Sequence, residues 1–337
     1  MPAARAGRRP MEGLTMRVFP PPPSIAGLTA VVTGGSRGLG LLLARELLRR
    51  GCEVALLARD DAELGRAVGK LGPCRGGTVQ GVVCDVRDRA AVRDRLAEIA
   101  GDHGGLDIVI ANAGIIQVGP AEALGAEGFQ DAMDSVFHGA LNTALAALPH
   151  LRRSPAGGRL VLIGSVGGLL TVPHLLPYSC AKSAVGALAD GLHAEEAPHG
   201  VSVTAVHPGL MRTGSHVHAL FGGDRRREYG WFSAVAGAPL LSMNAERAAD
   251  RIVTALQRRR TRLVLTPAAR LGATAHGLAP VTTTRLVSAV ARVLPRDGTH
   301  TTVRGAAVEA GEQPPAPRLR AVLGALNERA ADRFNQR

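Results

Sequence analysis

The sequence predicts an α/β chain with a doubly wound, mostly parallel seven-stranded sheet and a C-terminal helical extension. Three observations carry this. Seven short apolar runs fall between about residues 28 and 266, and helical stretches alternate with them. The runs are continuous rather than alternating, as expected of parallel strands covered by helices on both faces. Hydrophobic residues make up 46% of the 337-residue chain but aromatics only 3%, so the core must be built from Leu, Val and Ala.

The elements follow in order. "LTAVVTG" reads as the first strand and "GLGLLLARELLRRG" as a helix ended by Gly51. "EVALLA" is the second strand. In the helix "DDAELGRAVGKLG", Asp60 and Glu63 have the spacing of a capping box. "TVQGVVCD" and "DRAAVRDRLAEIAG" form the next strand and helix, and "LDIVIANAG" the fourth strand. A long helix through "GFQDAMDSVFHGALNTALAAL" is expected to stop at Pro149. "GRLVLIGS" is the fifth strand, residues 178–197 a helix, and "VSVTAVHPG" the sixth strand. "NAERAADRIVTALQRR" and "TRLVLTP" close the pattern. Residues 1–24, with "FPPPPS", read as a disordered leader, or in part as an upstream start, ahead of a domain at 25–265. In the extension, 266–337, short amphipathic helices are expected, then a flexible segment around "VRGAAVEAGEQPPAPR" and a terminal helix in "LRAVLGALNERAADRF".

Composition narrows the function classes. Cys52, Cys74, Cys84 and Cys180 lack CxxC or zinc-ligand spacing, which points to free thiols in the cytoplasm and to no metal. No run approaches the ~18 apolar residues of a membrane span. The formal charge is +12, with clusters such as "DRRREY" and "QRRRTR". These read as solvated surface, although phosphate or acidic lipid are alternatives. The scarcity of aromatics for base stacking weighs against nucleic acid.

The first strand runs into "TGGSRGLG", from Thr33 to Gly40, and a helix follows at once. Gly34, Gly38 and Gly40 let the chain turn and let backbone N–H groups of Ser36, Arg37 and Leu39 approach a pyrophosphate at the helix N-terminus, as in Rossmann dinucleotide sites. An NAD site ends its second strand with an acid for the ribose 2′-hydroxyl. Here Ala58 and Arg59 stand there, with Arg37 nearby, and two guanidiniums suit a 2′-phosphate. NADP(H) is therefore preferred. NAD(H) stays possible because of Asp60, whose other role is the helix cap. Asp85, followed by Val86, closes the third strand and either meets the adenine or caps the next helix. Asn112, with Ala113 and Gly114, ends the fourth strand, and its amide is placed to tie strand ends together.

Taken jointly, TGGSRGLG, ANAG, "IGSVGG", YSCAK and "HPGLMRT", in this order and spacing, make residues 25–265 resemble the short-chain dehydrogenase/reductase family. The resemblance implies an oxidoreductase in which Tyr178 is the general acid/base, Lys182 binds the nicotinamide ribose and lowers the phenol's pKa, and Ser165 holds the substrate oxygen. Tyr178 and Lys182, at i and i+4, share a helix face. The chain keeps only two lysines among 40 basic residues, and one is here, where a compact ammonium is wanted. Pro208, Gly209 and Thr213 match the segment flanking the nicotinamide carboxamide. Helices 127–148 and 178–197 are implied subunit contacts, so a homodimer or homotetramer is expected.

One position departs from the family. In "SVFHG", Val136 stands where the family carries an asparagine that holds a relay water; Ser135, His138 and Asn142 lie on other faces of the helix. The alternative function is accordingly a non-catalytic dinucleotide-binding regulator. The substrate wall, from "VGGLLTVPHLLP" and residues 210–243, offers Leu169, Leu170, Val172, Leu175, Leu176 and Leu220, which favours a hydrophobic ketone or secondary alcohol. His174 and His207 read as incidental. The stretch 266–295 is expected to complete the pocket, in preference to a subunit contact or a membrane surface.

Overall fold

The structure is a computed structural model that describes residues 21–72, 77–238, 242–296, 298–310 and 329–336. Residues 1–20 of the expected leader, Cys74, half of the expected flexible segment and most of the expected terminal helix lie outside these residues.

The seven apolar runs form one fully parallel sheet. Its strands are β1 (Thr29–Thr33), β2 (Glu53–Ala58), β3 (Val79–Val83), β4 (Ile108–Ala111), β5 (Arg159–Ile163), β6 (Ser202–His207) and β7 (Arg262–Val264), in the spatial order β3-β2-β1-β4-β5-β6-β7. Successive side chains of a strand point to opposite faces, and the core divides accordingly. Ala30, Val32, Val161 and Ile163 pack with one hydrophobic cluster; Val31, Leu160 and Leu162 pack with the other. The first is covered by α1 (Gly38–Arg49), α2 (Asp61–Leu71) and α8 (Ala245–Gln257). The second is covered by α3 (Arg89–Asp102), α5 (Gly139–Leu151) and α6 (Leu176–Glu196). Between α3 and α5 lies α4 (Ala121–Ala132), and between α6 and α8 lies α7 (Arg225–Gly237). The strand order reverses between β1 and β4, and the crevice at such a switch point is where open α/β sheets bind ligands.

Four expectations are corrected. The long helix is three pieces: α4, kinked at Gly125 with φ 59°, a π-helical stretch Met133–His138, and α5. It passes through Pro149 to Leu151, because a proline three residues from the end costs only one terminal hydrogen bond. Asp60 caps α2 by accepting from the Glu63 N–H at 2.8 Å, but the Glu63 carboxylate does not return to complete a capping box. Finally, the extension is not wholly helical. After α9 (Pro267–Leu278) and α10 (Pro280–Ala291), Thr299–Arg304 pairs antiparallel with Leu220–Gly223 in a small second sheet that also holds Gln117–Val118, and Gly305–Ala310 is a short helix. Alternating threonines and a valine in "THTTVR" give that strand a weak period-2 signal, which the surrounding polar sequence masks.

Candidate active site

The glycine loop leaves β1 at the switch point. Gly34 has φ +62°, and a Cβ on Gly40 would lie 2.0 Å from the Gly34 carbonyl oxygen, so α1 meets β1 only because both are glycine. Asn112 ties the strand ends together as expected: its amide donates to Thr33 O at 3.1 Å and Gly34 O at 3.2 Å, and its own N–H donates to Thr33 Oγ1 at 3.0 Å. Ala113 N–H makes a second bond to that hydroxyl at 3.2 Å. The donors at the start of α1 and the glycine-lined approach fit the pyrophosphate of a dinucleotide.

Two residues assigned to that ligand have protein partners instead. Glu63 reaches back from α2 to accept from the Ser36 hydroxyl and from Arg37 Nη1, the latter at 2.5 Å. Arg37 is therefore not a free guanidinium. Arg59 is exposed at the end of β2, close enough to Asp85 to contribute to lowering that carboxyl's pKa. The main cause of that lowering is the hydrogen bonding of Arg87, whose Nε and Nη2 hold both Asp85 oxygens at 2.6 to 3.1 Å. Asp85 does not cap α3; Asp88 does, accepting from Ala90 and Ala91 N–H. Val86 is buried, and its carbonyl accepts from Asn142 at 3.0 Å.

The C-terminal residues also reach this loop. Phe334 O accepts the Gly38 N–H at 2.9 Å. Asn335 Nδ2 donates to Ser36 O at 2.8 Å and to Glu63 O at 3.3 Å, and Lys70 Nζ donates to Asn335 Oδ1 at 3.0 Å. Asn335 has φ 59°, a left-handed conformation that asparagine tolerates better than most residues. Gln336 O pairs with the His218 ring at 2.8 Å, so the segment bridges the glycine loop and the loop after β6. Nothing local in "RFNQR" announces this.

The second half of the site lies at the ends of β5 and β6 and the start of α6. Pro177 sits in the first turn of α6, where its missing N–H is harmless. One helical turn separates Tyr178 from Lys182, whose Nζ lies 5.7 Å from the phenol ring centroid and donates to Ile163 O at 2.6 Å. Ser165 shares a hydrogen bond with the Tyr178 hydroxyl, and its Oγ also accepts from Gly167 N–H at 3.0 Å. The three predicted catalytic residues are thus gathered. Gly114 adjoins them: a Cβ there would lie 3.2 Å from Val136 and 3.9 Å from Lys182 Nζ. Pro208 O receives the Val166 N–H at 2.8 Å, Gly209 packs beneath Thr266 at the start of α9, and buried Thr213 accepts from Ser215 N–H at 3.3 Å.

The electrostatics correct one expectation. Burial pushes the Tyr178 phenol above its usual range, and the hydrogen bond from Ser165 offsets this only in part; the cation at Lys182 is not among the causes. The lysine itself is lowered to about 8 by burial. At neutral pH the pair is therefore a neutral phenol beside an ammonium that remains mostly protonated.

Neither histidine is incidental. His174, at φ 63° in the loop before α6, pairs through Nδ1 with Glu228 Oε1 at 2.6 Å. The Glu228 carboxylate is fully buried, and Trp231 Nε1 holds its other oxygen at 2.6 Å. His207 is fully buried with Nδ1 3.3 Å from Ser165 O, and burial lowers its pKa. The sequence offered no signal for Glu228, which lies 54 residues from its partner in a charged run.

Residues 28–219 match the family model described as short chain dehydrogenase. Gluconate 5-dehydrogenase of Gluconobacter oxydans (strain 621H) is 36% identical over 191 residues, which are 56% of this chain and 73% of that protein. 3beta-hydroxysteroid dehydrogenase 1 of Eggerthella lenta is 31% identical over 189 residues, 56% of this chain and 72% of that protein. The crystal structure of a short-chain dehydrogenase from Streptomyces avermitilis superposes with a TM-score of 0.68 at 26% identity, covering 80% of this chain and 98% of that one.

Proposed function

The chain belongs to the short-chain dehydrogenase family, and from that membership we propose that this oxidoreductase uses NADP(H) to interconvert an apolar ketone and its secondary alcohol. The observation that carries the reading is the gathering of Ser165, Tyr178 and Lys182 at the end of the sheet that also presents the glycine loop.

The nicotinamide, when bound, supplies or accepts hydride. Tyr178 delivers a proton to the substrate oxygen during reduction, and its neutral phenol at pH 7 is the form that can do so. Ser165 orients that oxygen through its hydroxyl. Lys182 holds positive charge beside the phenol, favouring phenolate after the proton has left. Arg59, with no acid at the end of β2, supports the 2′-phosphate preference, while Arg37 contributes less than expected because Glu63 holds it. Leu170, Val172 and Leu175 supply the apolar wall. The relatives named above act on a polar sugar acid and on a steroid, so the wall and not kinship supports an apolar substrate. We place the enzyme in the cytoplasm as a homodimer or homotetramer joined through α5 and α6, where Leu145 is exposed. No helix among the described residues is long and apolar enough to cross a membrane.

A panel of apolar ketones assayed with NADPH and NADH tests the reading. Cofactor oxidation should fall about a thousandfold in Tyr178→Phe, within the range seen on removal of an acid/base group, with NADPH binding retained. Turnover that survives Tyr178→Phe would refute the assignment. Cofactor binding without turnover on any ketone or alcohol would favour the regulator instead.

A further inference from the structure

The α9–α10 hairpin was expected to complete the substrate pocket, and it meets that wall near its start, between Ala269 and Gly272. Ala269 is its one buried residue, and a Cβ on Gly272 would lie 3.5 Å from Leu170. Elsewhere on the hairpin large apolar side chains face outward. Leu271 is 73% exposed, Leu278 83%, Leu286 63%, Val290 56% and Val293 82%. They are not scattered. Leu271 and Leu278 are seven residues apart on α9. Leu286, Val290 and Val293 follow at i, i+4 and i+7 from α10 into the residues after it and make a second stripe, while Val281, 64% exposed, lies on another face of α10. Each helix has 12 residues, about 18 Å, too short to span a bilayer.

The charge on this element has one sign. From Pro267 to Arg296 there are four arginines (Arg270, Arg285, Arg292 and Arg296) and no aspartate or glutamate. Arg292 and Arg296 also line a cavity of about 380 Å³ with Arg227 and Trp231 from α7. Arg227 also pairs with Asp224, Nε to Oδ2 at 3.4 Å, so Arg292 and Arg296 are the cations of this cleft that suit an anionic headgroup at the edge of hydrocarbon, with an indole beside them. A second copy of the chain fits less well: a two-fold contact through the hairpin would set the same arginines against each other, and Pro267–Arg296 itself carries no acid to pair them.

We propose that the α9–α10 hairpin lies flat in the interfacial layer of an anionic lipid bilayer, with its leucine and valine stripes in the acyl region and the Arg292 and Arg296 cleft on a lipid phosphate. This surface does not depend on the dinucleotide reading. It does place the bilayer beside Leu170, so an apolar substrate would have a short path from lipid to the cleft.

Flotation of the full chain with vesicles tests it. Equimolar phosphatidylglycerol and phosphatidylcholine vesicles should carry the protein to the top of the gradient. Vesicles of phosphatidylcholine alone should bind at least tenfold more weakly, since each arginine near an anionic surface contributes about fivefold. The exposed triple variant Leu278→Ser/Val290→Ser/Val293→Ser should lose binding at least tenfold. Arg292→Glu/Arg296→Glu should lose it for anionic vesicles specifically. Both variants should keep the parent's circular dichroism spectrum and urea midpoint, which shows that they are folded. Failure to float with anionic vesicles, or flotation untouched by either variant, would overturn the proposal. So would a parent oligomer that the triple variant dissociates on sizing without any vesicle binding, which would assign the face to self-association.

Discussion

Replacing Lys182 with methionine should make the protein more stable at neutral pH. The lysine ammonium sits at about 8 rather than 10.5 because its surroundings exclude water. At 1.36 kcal/mol per pH unit, holding it protonated in the folded state costs about 3 kcal/mol. Methionine keeps the stem's volume and flexibility without the charge. It loses the bond that the ammonium donates to Ile163 O, and a bond to a charged group is worth about 1.5–3 kcal/mol. The net gain at pH 7 is therefore about 0.5–2 kcal/mol. Its pH dependence has a definite sign. The folded pKa lies below the unfolded one, so the unfolded chain binds more protons between about 8 and 10.5. The penalty is therefore complete below pH 8 and fades by pH 10.5. Above that the variant should be the weaker protein, by the lost hydrogen bond. Cys52 and Cys84, raised by burial to about 12 and 11, pull wild-type stability down in alkali, but they are present in both proteins and cancel in the difference. Urea denaturation of both proteins, read by circular dichroism at about pH 7 and about pH 10, measures this. A variant less stable at pH 7, or a difference that does not change with pH, would show that Lys182 carries no desolvation penalty. Because the same charge is required beside Tyr178, the stabilised variant should turn over no substrate.

Three further outcomes follow from the same geometry. Arg59→Asp should reduce the NADPH-over-NADH preference in kcat/KM about tenfold or more, the worth of a charged hydrogen bond to phosphate; an unchanged ratio would remove Arg59 from the cofactor site. Val136→Asn should raise kcat, because its amide would enter the space between Gly114 and Lys182, and should lower the urea midpoint through a cost of about 1–3 kcal/mol for a buried amide. Steady-state kinetics and denaturation of one preparation decide both. Asn335→Ala removes the anchors to Ser36, Glu63 and Lys70, and should tighten dinucleotide binding about fivefold if one net hydrogen bond of about 1 kcal/mol resists displacement of the tail. Fluorescence titration that shows weaker binding would mean that the tail clamps the ligand rather than competing with it.

What the sequence disclosed and what it withheld differ in physical kind. The inner parallel strands are buried on both faces and must be apolar throughout, so they read as runs; the edge strands β3 and β7 are partly exposed, and their place in the alternation with helices is what marks them. Glycine at 34 and 40 is required by backbone contact, and such contacts recur at fixed spacing after a first strand. Tyr178 and Lys182 are one helical turn apart, a separation that is visible in any sequence. The withheld features are all pairings across the chain. Glu63 stands three residues after Asp60, where a carboxylate serves a capping box equally well; only the folded loop shows that it turns to Ser36 and Arg37 instead. This choice weakens the case for two phosphate-binding arginines and leaves it to Arg59. Glu228 looks like one more charge in "DRRREY" until His174 and Trp231 enclose it. The electrostatics of the Tyr–Lys pair follow the same pattern. Adjacency on a helix suggests that the cation acidifies the phenol, whereas burial, which no spacing reveals, raises the phenol and lowers the amine. A desolvated ammonium next to a neutral phenol is a pair in which the proton's departure from the tyrosine is what makes the lysine's charge useful.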